Sequence, residues 1–363
     1  MPLPSKRDRE WVRSRLLDWL ATKLPDGADP TLSKLDVPEG TGMSSETFLF
    51  DARWHEGGKC GEERSGSYVV RMSPNMDDFP IFPEYDLTLQ VNCLNLVRSK
   101  SEVPVPTVAW HEPDANVLEY PFYVMERIEG LVPADLPPYL FAGWLFEATP
   151  QERATLQRNT LTTLAQLHAI DVTAPDAAFL DRPQYGTTAL EQHLNYQREY
   201  YDWAREGTAY PILERTFDWL EANRPADTRT PVMNWGDSRI GNMMYRDFAP
   251  VAVFDWEMAC LGAPEVDLAW MCSMNDFFQA MANGAGAPGL PDLLKHEEVI
   301  PTYEAASGRK VEHFEWYYVF AVLRFGIISI RTSRRAIAYG SMEDGGSPDD
   351  LITNAILLRR YVG

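Results

Sequence analysis

Three polar residues, Asp237, Asn242 and Asp255, lie in one short stretch of the chain and have side chains suited to a hydroxyl group and a metal ion. Asn242 follows Asp237 by five positions, and Asp255 directly follows the strand-like run VAVF. A carboxylate such as Asp237 can accept a proton from a hydroxyl group or orient that group. An amide oxygen and a second carboxylate are oxygen ligands that suit Mg²⁺. Each residue alone would more simply belong to a turn, but the spacing of the three favours function.

The stretch 232–270 resembles the aminoglycoside phosphotransferase/choline kinase-like superfamily. Members of that superfamily carry H-G-D-x-x-x-x-N and then a D-x-[DE]-like metal motif, and the present chain has WGDSRIGN followed by DWE. The phrase FDWEMACLG is especially similar to the branch that is fused to acyl-CoA dehydrogenases in some eukaryotes. The resemblance extends from about residue 32 to the end of the chain. It implies an α+β, two-lobed protein-kinase-like fold, with a small β-rich N-lobe and a large, mostly helical C-lobe.

The resemblance also implies roles for the three residues. Asp237 would be the catalytic residue that orients a substrate hydroxyl, while Asn242 and Asp255 would hold Mg²⁺. The implied reaction moves the γ-phosphate of ATP to a hydroxyl of a small molecule. Trp235 stands where the superfamily usually has histidine. We expect the aromatic ring to fill that volume without making the hydrogen bonds of the histidine. Asp267 is expected to order the loop through backbone hydrogen bonds.

A loop in the N-terminal part resembles the nucleotide loop of the superfamily. It spans residues 40–47, and its backbone at Gly42 and its hydroxyls at Ser44 and Ser45 could cover phosphates. In the strand-like run SYVVRMS, Arg71 takes the place of the phosphate-binding lysine. Its guanidinium can form paired bonds to phosphate oxygens. We therefore expect these residues to bind the nucleotide.

The run MERI resembles the hinge between the lobes, where backbone groups meet adenine. This assigns cofactor binding to Glu126 and Ile128. The lysine that Arg71 replaces usually pairs with a helix glutamate. Glu84 is one candidate partner for Arg71, and Gln90 is nearer the expected place. The sequence leaves this choice open.

Hydrophobic periodicity predicts the elements that must hold these residues in place. An amphipathic helix is expected over 8–24, and a second helix over 84–98. Strands are expected directly after residue 45 and over 67–73, 103–110 and 121–128, with a polar hairpin loop at 57–66. Thr149, followed by proline and then Glu152, predicts a capped helix start. Beyond it, a strand-like island is expected at 231–257, and helices are expected at 188–205, 211–223, 263–282, 291–306, 313–336 and 348–361.

Composition limits the classes of function. The formal net charge of −20 disfavours general nucleic-acid binding. Four cysteines without a CxxC pair, and six scattered histidines, predict neither a disulfide scaffold nor a zinc site. The charged N-terminus is unlike a signal peptide, and the most apolar late stretch, 316–330, is too short to span a bilayer and contains Arg324. A soluble, cytoplasmic protein is expected.

The expected division of the chain is a helical extension at 1–31, a nucleotide-binding N-lobe at 32–128 and a catalytic and substrate-binding C-lobe at 129–363. Two alternatives stay open. One is a nucleotide-binding regulatory protein of the same fold, and the other is a metal-dependent hydrolase that uses Asp237 and Asp255 with Glu257. The sequence leaves open the acceptor, which could be an aminoglycoside, a hydroxyacyl compound, a sugar or an amino alcohol. It also leaves open ATP against GTP and the oligomeric state.

Overall fold

The computed structural model describes residues 7–38, 45–57, 61–77, 79–226 and 229–363. Its strands are β1 Thr31–Leu32, β2 Glu46–Glu56, β3 Glu62–Met72, β4 Val108–Glu112, β5 Phe122–Glu126, β6 Val232–Asn234, β7 Met243–Arg246, β8 Ala249–Val253 and β9 Cys260–Gly262. Its helices are α1 Arg9–Lys23, α2 Leu87–Lys100, α3 Trp144–Glu147, α4 Pro150–Leu167, α5 Ala189–Arg205, α6 Pro211–Ala222, α7 Glu265–Gly284, α8 His296–Ser307, α9 Phe314–Ala338 and α10 Ala355–Val362.

The N-terminal lobe is a five-stranded antiparallel sheet in the order β1-β2-β3-β5-β4. Consecutive buried residues at the end of β3 and along β5 show that both faces of the sheet are covered there. Helix α1 covers one face, where Leu16 and Trp19 belong to the same core as Phe48 and Phe122. Helix α2 covers the other face and joins the core of the second lobe. The sheet therefore presents the end of β3, with Arg71, to the second lobe.

Two strand predictions were wrong at their ends. Strand β3 begins at Glu62, so half of the predicted polar loop at 57–66 is strand. Ion pairs such as Arg64–Glu56 join the exposed ends of β2 and β3, a pairing that hydrophobic patterning does not reveal. The strand predicted from 103 begins only at Val108, because two prolines lack the amide donors that a ladder needs.

The second lobe is mostly helical and carries a small β-region. Thr149 caps α4 with a capping box to Glu152, as predicted. Helices α7 and α9 pack against each other in the main core. Strand β6 pairs with β9, a strand that was not predicted, and β7 pairs with β8 as a hairpin. The last predicted helix is interrupted, because a 3₁₀ turn at Pro348–Leu351 precedes α10.

The architecture confirms the predicted fold class, a small antiparallel β-lobe joined to a large helical lobe. The loops that follow β6 and β8 lie where the two lobes meet, because Arg71 of β3 contacts the second loop. Within the described residues, the helices lack the length and apolar character needed to cross a membrane.

Candidate active site

The carboxylate of Asp237 lies in the loop after β6 and is held by three donors. Trp270 Nε1 donates to Oδ1 over 2.7 Å, and Asn242 Nδ2 donates to Oδ2 over 2.7 Å. Arg239 Nε lies 3.2 Å from Oδ1. These contacts fix the direction of the carboxylate without closing it from solvent, since its side chain is 14% exposed. Such a carboxylate can orient a hydroxyl group.

The loop itself is fixed by Asp267 at the start of α7. This fully buried carboxylate accepts hydrogen bonds from the backbone amides of Trp235 and Gly236, each over 2.8 Å. His168 Nε2 lies 3.0 Å from the same carboxylate, and the His168 ring also bonds the hydroxyl of Tyr303. The predicted role of Asp267 in ordering the loop is confirmed by these contacts.

Replacing Asp267 with alanine is expected to lower the free energy of unfolding by about 3–5 kcal/mol, because it leaves buried donors without their charged acceptor. Burial alone would raise the pKa of Asp267, but hydrogen bonds from His168 and the two amides lower it below its ordinary value. A lowered folded-state pKa means that this stabilisation is complete above about pH 4 and is lost as the pH falls further. Urea unfolding at pH 7 and at acid pH measures both effects.

The matched control is Asp276→Ala on the same helix, because Asp276 also contacts a histidine but is partly exposed. We expect Asp276→Ala to lower the free energy of unfolding by less than half as much as Asp267→Ala does. Equal losses in the two variants, or an Asp267→Ala loss that is the same at every pH, would contradict the assigned role.

Trp235 fills its buried volume, as expected, and its indole also makes a hydrogen bond of its own. Its ring is fully buried, and Nε1 donates to the Phe254 carbonyl over 2.6 Å. This bond ties the Asp237 loop to the residue before Asp255. The next residue, Gly236, has a φ of +90°, and a Cβ there would lie 2.1 Å from the Met258 carbonyl oxygen. Glycine is therefore required by both the backbone conformation and the close approach.

Asp255 follows β8 in the left-handed conformation, with a φ of +58°. A non-glycine residue in that region stores strain and is common at functional sites. Its carboxylate forms an ion pair with Arg71, and Glu257 Oε2 lies 3.8 Å from the same guanidinium. Burial alone would lower the pKa of Arg71, but Asp255, the phenol of Tyr123 and Glu257 raise it above its ordinary value.

The partner of Arg71 is thus neither of the two residues considered from the sequence. Gln90 is buried nearby, but its Oε1 accepts from the hydroxyl of Tyr123 over 3.3 Å. Glu84 is exposed and lines a cleft that does not include Arg71. The carboxylate partner comes instead from the other lobe, at Asp255.

Asn242 connects the two loops. Its side-chain amide donates to Asp237, while its backbone carbonyl accepts from the Phe254 amide over 2.9 Å. Asn242 therefore contacts Asp237 directly and lies beside the residue that precedes Asp255. Amide and carboxylate oxygens at this place fit a Mg²⁺ ion, which is bound in kinase sites by one or two protein ligands and by phosphates.

The nucleotide-binding predictions fall partly within the described residues. Gly42 and Ser44 lie outside them. The hydroxyl oxygen of Ser45 is buried without a hydrogen-bond partner among the described residues. Glu126 ends β5 opposite Tyr68, and its carboxylate accepts from Thr107. Ile128, partly buried, lies two residues beyond this strand, at the passage between the lobes.

Two contributing residues, Trp270 and Arg324, were not assigned a function from the sequence. Trp270 holds Asp237. Arg239 forms ion pairs with both Asp237 and Asp135 and so connects the two carboxylates. Arg324, from α9, donates to the Gly236 carbonyl over 3.0 Å. The one sequence signal for Arg324 is a lone charge within an apolar helical run.

Comparison with protein families gives one clear match. The model of the phosphotransferase enzyme family matches residues 58–306, which is more than half of the chain. Among curated proteins, the chain is 28% identical over 309 residues to "Probable acyl-CoA dehydrogenase IBR3" of Arabidopsis thaliana, covering 81% of the chain and 35% of that protein. It is 27% identical over 295 residues to acyl-CoA dehydrogenase family member 11 of Homo sapiens, covering 77% of the chain and 35% of that protein. The chain spans about a third of the length of these relatives.

Solved structures share the fold. A candidate aminoglycoside phosphotransferase from Ralstonia eutropha superposes with a TM-score of 0.65 at 19% identity, covering 96% of this chain and 98% of that one. The macrolide 2'-phosphotransferase MphH from Brachybacterium faecium gives 0.54 at 18% identity, covering 93% and 97%. A thermostable mutant of aminoglycoside phosphotransferase APH(4)-Ia, in a ternary complex with ADP and hygromycin B, gives 0.55 at 15% identity, covering 96% and 99%. These likenesses show a kinase-like fold.

Proposed function

The chain belongs to the phosphotransferase enzyme family, and from that premise we propose that it transfers the γ-phosphate of ATP, with Mg²⁺, to a hydroxyl group of a small molecule. Asp237 orients the hydroxyl, and Asn242 and Asp255 hold the metal. Arg71 binds nucleotide phosphates. Gly42, Ser44 and Ser45 cover them, and the backbone at Glu126 and Ile128 meets adenine.

The observation that carries the proposal is the placement of Asp237, Asn242 and Asp255. Asn242 contacts Asp237 and, through the Phe254 amide, the backbone that leads into Asp255. Two further groups orient this site: Trp270 donates to the Asp237 carboxylate, and Asp267 accepts from the backbone of the first loop. Such pre-positioning suits phosphoryl transfer, in which positioning and neutralisation of charge supply most of the catalysis.

Arg71 and Asp255 face each other across the passage between the lobes. A phosphate entering there would meet Arg71 directly and the carboxylate of Asp255 through the metal. When bound, Mg²⁺ neutralises charge on the phosphates during transfer. The protein's own part is to hold the metal from Asn242 and Asp255 and to aim the acceptor hydroxyl from Asp237.

The experiment that tests nucleotide use is thermal unfolding with ATP, with and without Mg²⁺. We expect MgATP to stabilise the protein more than either component alone, by about 2.7 kcal/mol at 100 times its Kd. Repeating the measurement with GTP shows whether the protein prefers adenine or guanine nucleotides. Stabilisation with no phosphorylated product would favour the regulatory protein of the same fold. No response to either nucleotide would contradict the proposal and favour a metal-dependent hydrolase.

A further inference from the structure

Arg324 of α9 is a buried arginine that pairs with no carboxylate among the described residues. Its side chain is 2% exposed, and Nη2 donates to the Gly236 carbonyl over 3.0 Å. Nε and Nη1 have no hydrogen-bond partner in the part of the chain that the structure describes. A guanidinium stays protonated in proteins, and burying its charge without compensation is costly. Other groups must therefore compensate the charge of Arg324.

Aromatic rings supply that compensation. The centre of the Arg324 guanidinium lies 4.6 Å from the centroid of the Trp270 ring and 5.8 Å from that of Phe320. A cation over the face of an indole is attracted by the electrons of the ring, and more strongly where water is excluded. Trp270 is itself 2% exposed, and Phe325 packs edge-on against it. The contact is therefore a desolvated cation–π pair in a fixed geometry.

The same indole holds the proposed catalytic carboxylate. Nε1 of Trp270 donates to Oδ1 of Asp237 over 2.7 Å, at the short end of the range for a charge-assisted hydrogen bond. A positive charge on the face of the ring draws electrons from it and makes its N–H a stronger donor, because linked groups polarise one another. Arg324 thereby acts on Asp237 through the indole, without a direct contact that would compete with an acceptor hydroxyl.

Arg324 also fixes the backbone beside Asp237. The Gly236 carbonyl accepts from Arg324, while the Gly236 amide donates to Asp267 over 2.8 Å. Both polar backbone groups of Gly236 are thus held, at a φ of +90° that favours glycine. The peptide plane between Gly236 and Asp237 therefore has a fixed orientation, and the side chain of Asp237 starts from a fixed point.

The other buried arginines of the site have carboxylate partners. Burial alone would lower the pKa of Arg71 and Arg239, but their carboxylate partners raise it above the ordinary value. Burial lowers the pKa of Arg324 below its ordinary value. A phosphate or a metal ion could exchange with the ion pairs of Arg71 and Arg239. The contacts of Arg324, with rings and a carbonyl, are not open to such exchange.

We propose that Arg324 is a positioning residue for phosphotransfer, which fixes the Asp237 carboxylate through the indole of Trp270 and the adjoining backbone through Gly236. This inference rests on the proposed function, in which Asp237 aims the acceptor hydroxyl. A misplacement of about 1 Å can lower a rate about 10²-fold. Because the contacts of Arg324 lie on the Asp237 loop, its effect falls on kcat and not on nucleotide binding.

The first test is the indole N–H resonance of Trp270 in ¹H–¹⁵N NMR spectra, identified as the resonance that Trp270→Phe removes. A strong hydrogen bond to a carboxylate moves such a proton downfield, so we expect the resonance to move upfield in Arg324→Met. Arg324→Lys keeps the charge but loses the planar stack, and it should move the resonance less. The control is Arg331→Met, since Arg331 is buried in the same helix over Trp203 but pairs with Glu206. This variant should leave the resonance in place.

The second test is a double-mutant cycle on kcat, measured as ADP release from MgATP. The acceptor probes are an aminoglycoside, a hydroxy acid, a sugar and an amino alcohol, namely kanamycin, lactate, glucose and choline. Trp270→Phe should lower kcat about 10- to 100-fold, the effect of one charge-assisted hydrogen bond. Arg324→Met should lower it about 3- to 30-fold, the effect of a desolvated cation–π pair. The double variant should lose less than the product of the two single losses, with the KM for ATP changed less than about threefold throughout.

Each outcome decides the proposal. An unmoved Trp270 resonance in Arg324→Met, losses of kcat that multiply, or a raised KM for ATP at unchanged kcat would overturn it while leaving phosphotransfer intact. If Arg324→Met does not fold, Arg324→Lys takes its place, and a wild-type resonance and kcat in that variant would overturn the proposal equally. If no probe is phosphorylated and MgATP does not stabilise the protein, the proposed function fails, and this inference fails with it.

Discussion

Replacing Asp237 with asparagine is expected to lower kcat roughly 10²- to 10⁴-fold, the range for a group that handles a proton in the transition state, while MgATP binding changes little. The exchange preserves shape, and Oδ1 can still accept from Trp270 and Arg239. The new amide would lose the bond from Asn242 Nδ2, but Asn242 keeps its orientation because Nδ2 also donates to the backbone carbonyl of residue 237 over 3.1 Å. The fold and the nucleotide site should survive, because Asp267 holds the loop independently. The measurement is steady-state ADP release together with thermal stabilisation by MgATP.

Asp135→Asn is the matched control for this prediction. Asp135 pairs with the same guanidinium of Arg239, but its side chain is 39% exposed. Partly exposed ion pairs contribute about 1 kcal/mol or less, so kcat should fall less than about tenfold. A large loss of kcat in Asp135→Asn, together with near-normal turnover in Asp237→Asn, would contradict the assignment. It would show that Asp135, and not Asp237, has the catalytic role.

Asp255→Asn is expected to remove the additional stabilisation that Mg²⁺ gives to ATP binding and to lower kcat about 10³-fold or more, since a metal supplies several kcal/mol of charge stabilisation. A neutral amide is a weaker ligand for Mg²⁺ than a carboxylate. The same change takes from Arg71 its closest carboxylate, so ATP alone should bind as well as before or better. Thermal unfolding at graded Mg²⁺ concentrations, with ATP fixed, measures the effect.

Glu257→Gln provides the comparison, because Glu257 lies two residues away and 3.8 Å from the same guanidinium. We expect this variant to keep its response to Mg²⁺. If Glu257→Gln loses the response and Asp255→Asn keeps it, then Glu257 is the metal ligand and the assignment made here is wrong.

Features that depend on local sequence were predictable. Helix α1, the capped start of α4 and the positions of α5, α6 and α7 follow from apolar spacing and from capping residues. The hairpin between Asn242 and Asp255 follows from the strand-like run between them. For the same reason, the two loops that carry the candidate catalytic residues could be located in advance.

Features that depend on distant contacts were not predictable. The partner of Arg71 lies 184 positions away in the other lobe, and no periodicity encodes such a pair. Strand β9 has only three residues and forms because β6 is beside it. The hydrogen bond of Trp235 to Phe254 likewise requires the folded hairpin. Arg324 was noticed only as a charge in an apolar run, and its meaning depends on the indole of Trp270 and the Gly236 carbonyl that other elements bring against it.

The central claim is tested most directly by following phosphorus from ATP to an acceptor. Hydroxylated compounds are incubated with the protein, ATP and Mg²⁺, and ³¹P NMR and mass spectrometry identify the products. The account predicts a phosphate ester of an acceptor hydroxyl, formed with one ADP per ester, and lost when Mg²⁺ is removed or Asp237 is replaced by asparagine. Release of inorganic phosphate without any ester, or ester formation by Asp237→Asn at the wild-type rate, would contradict it.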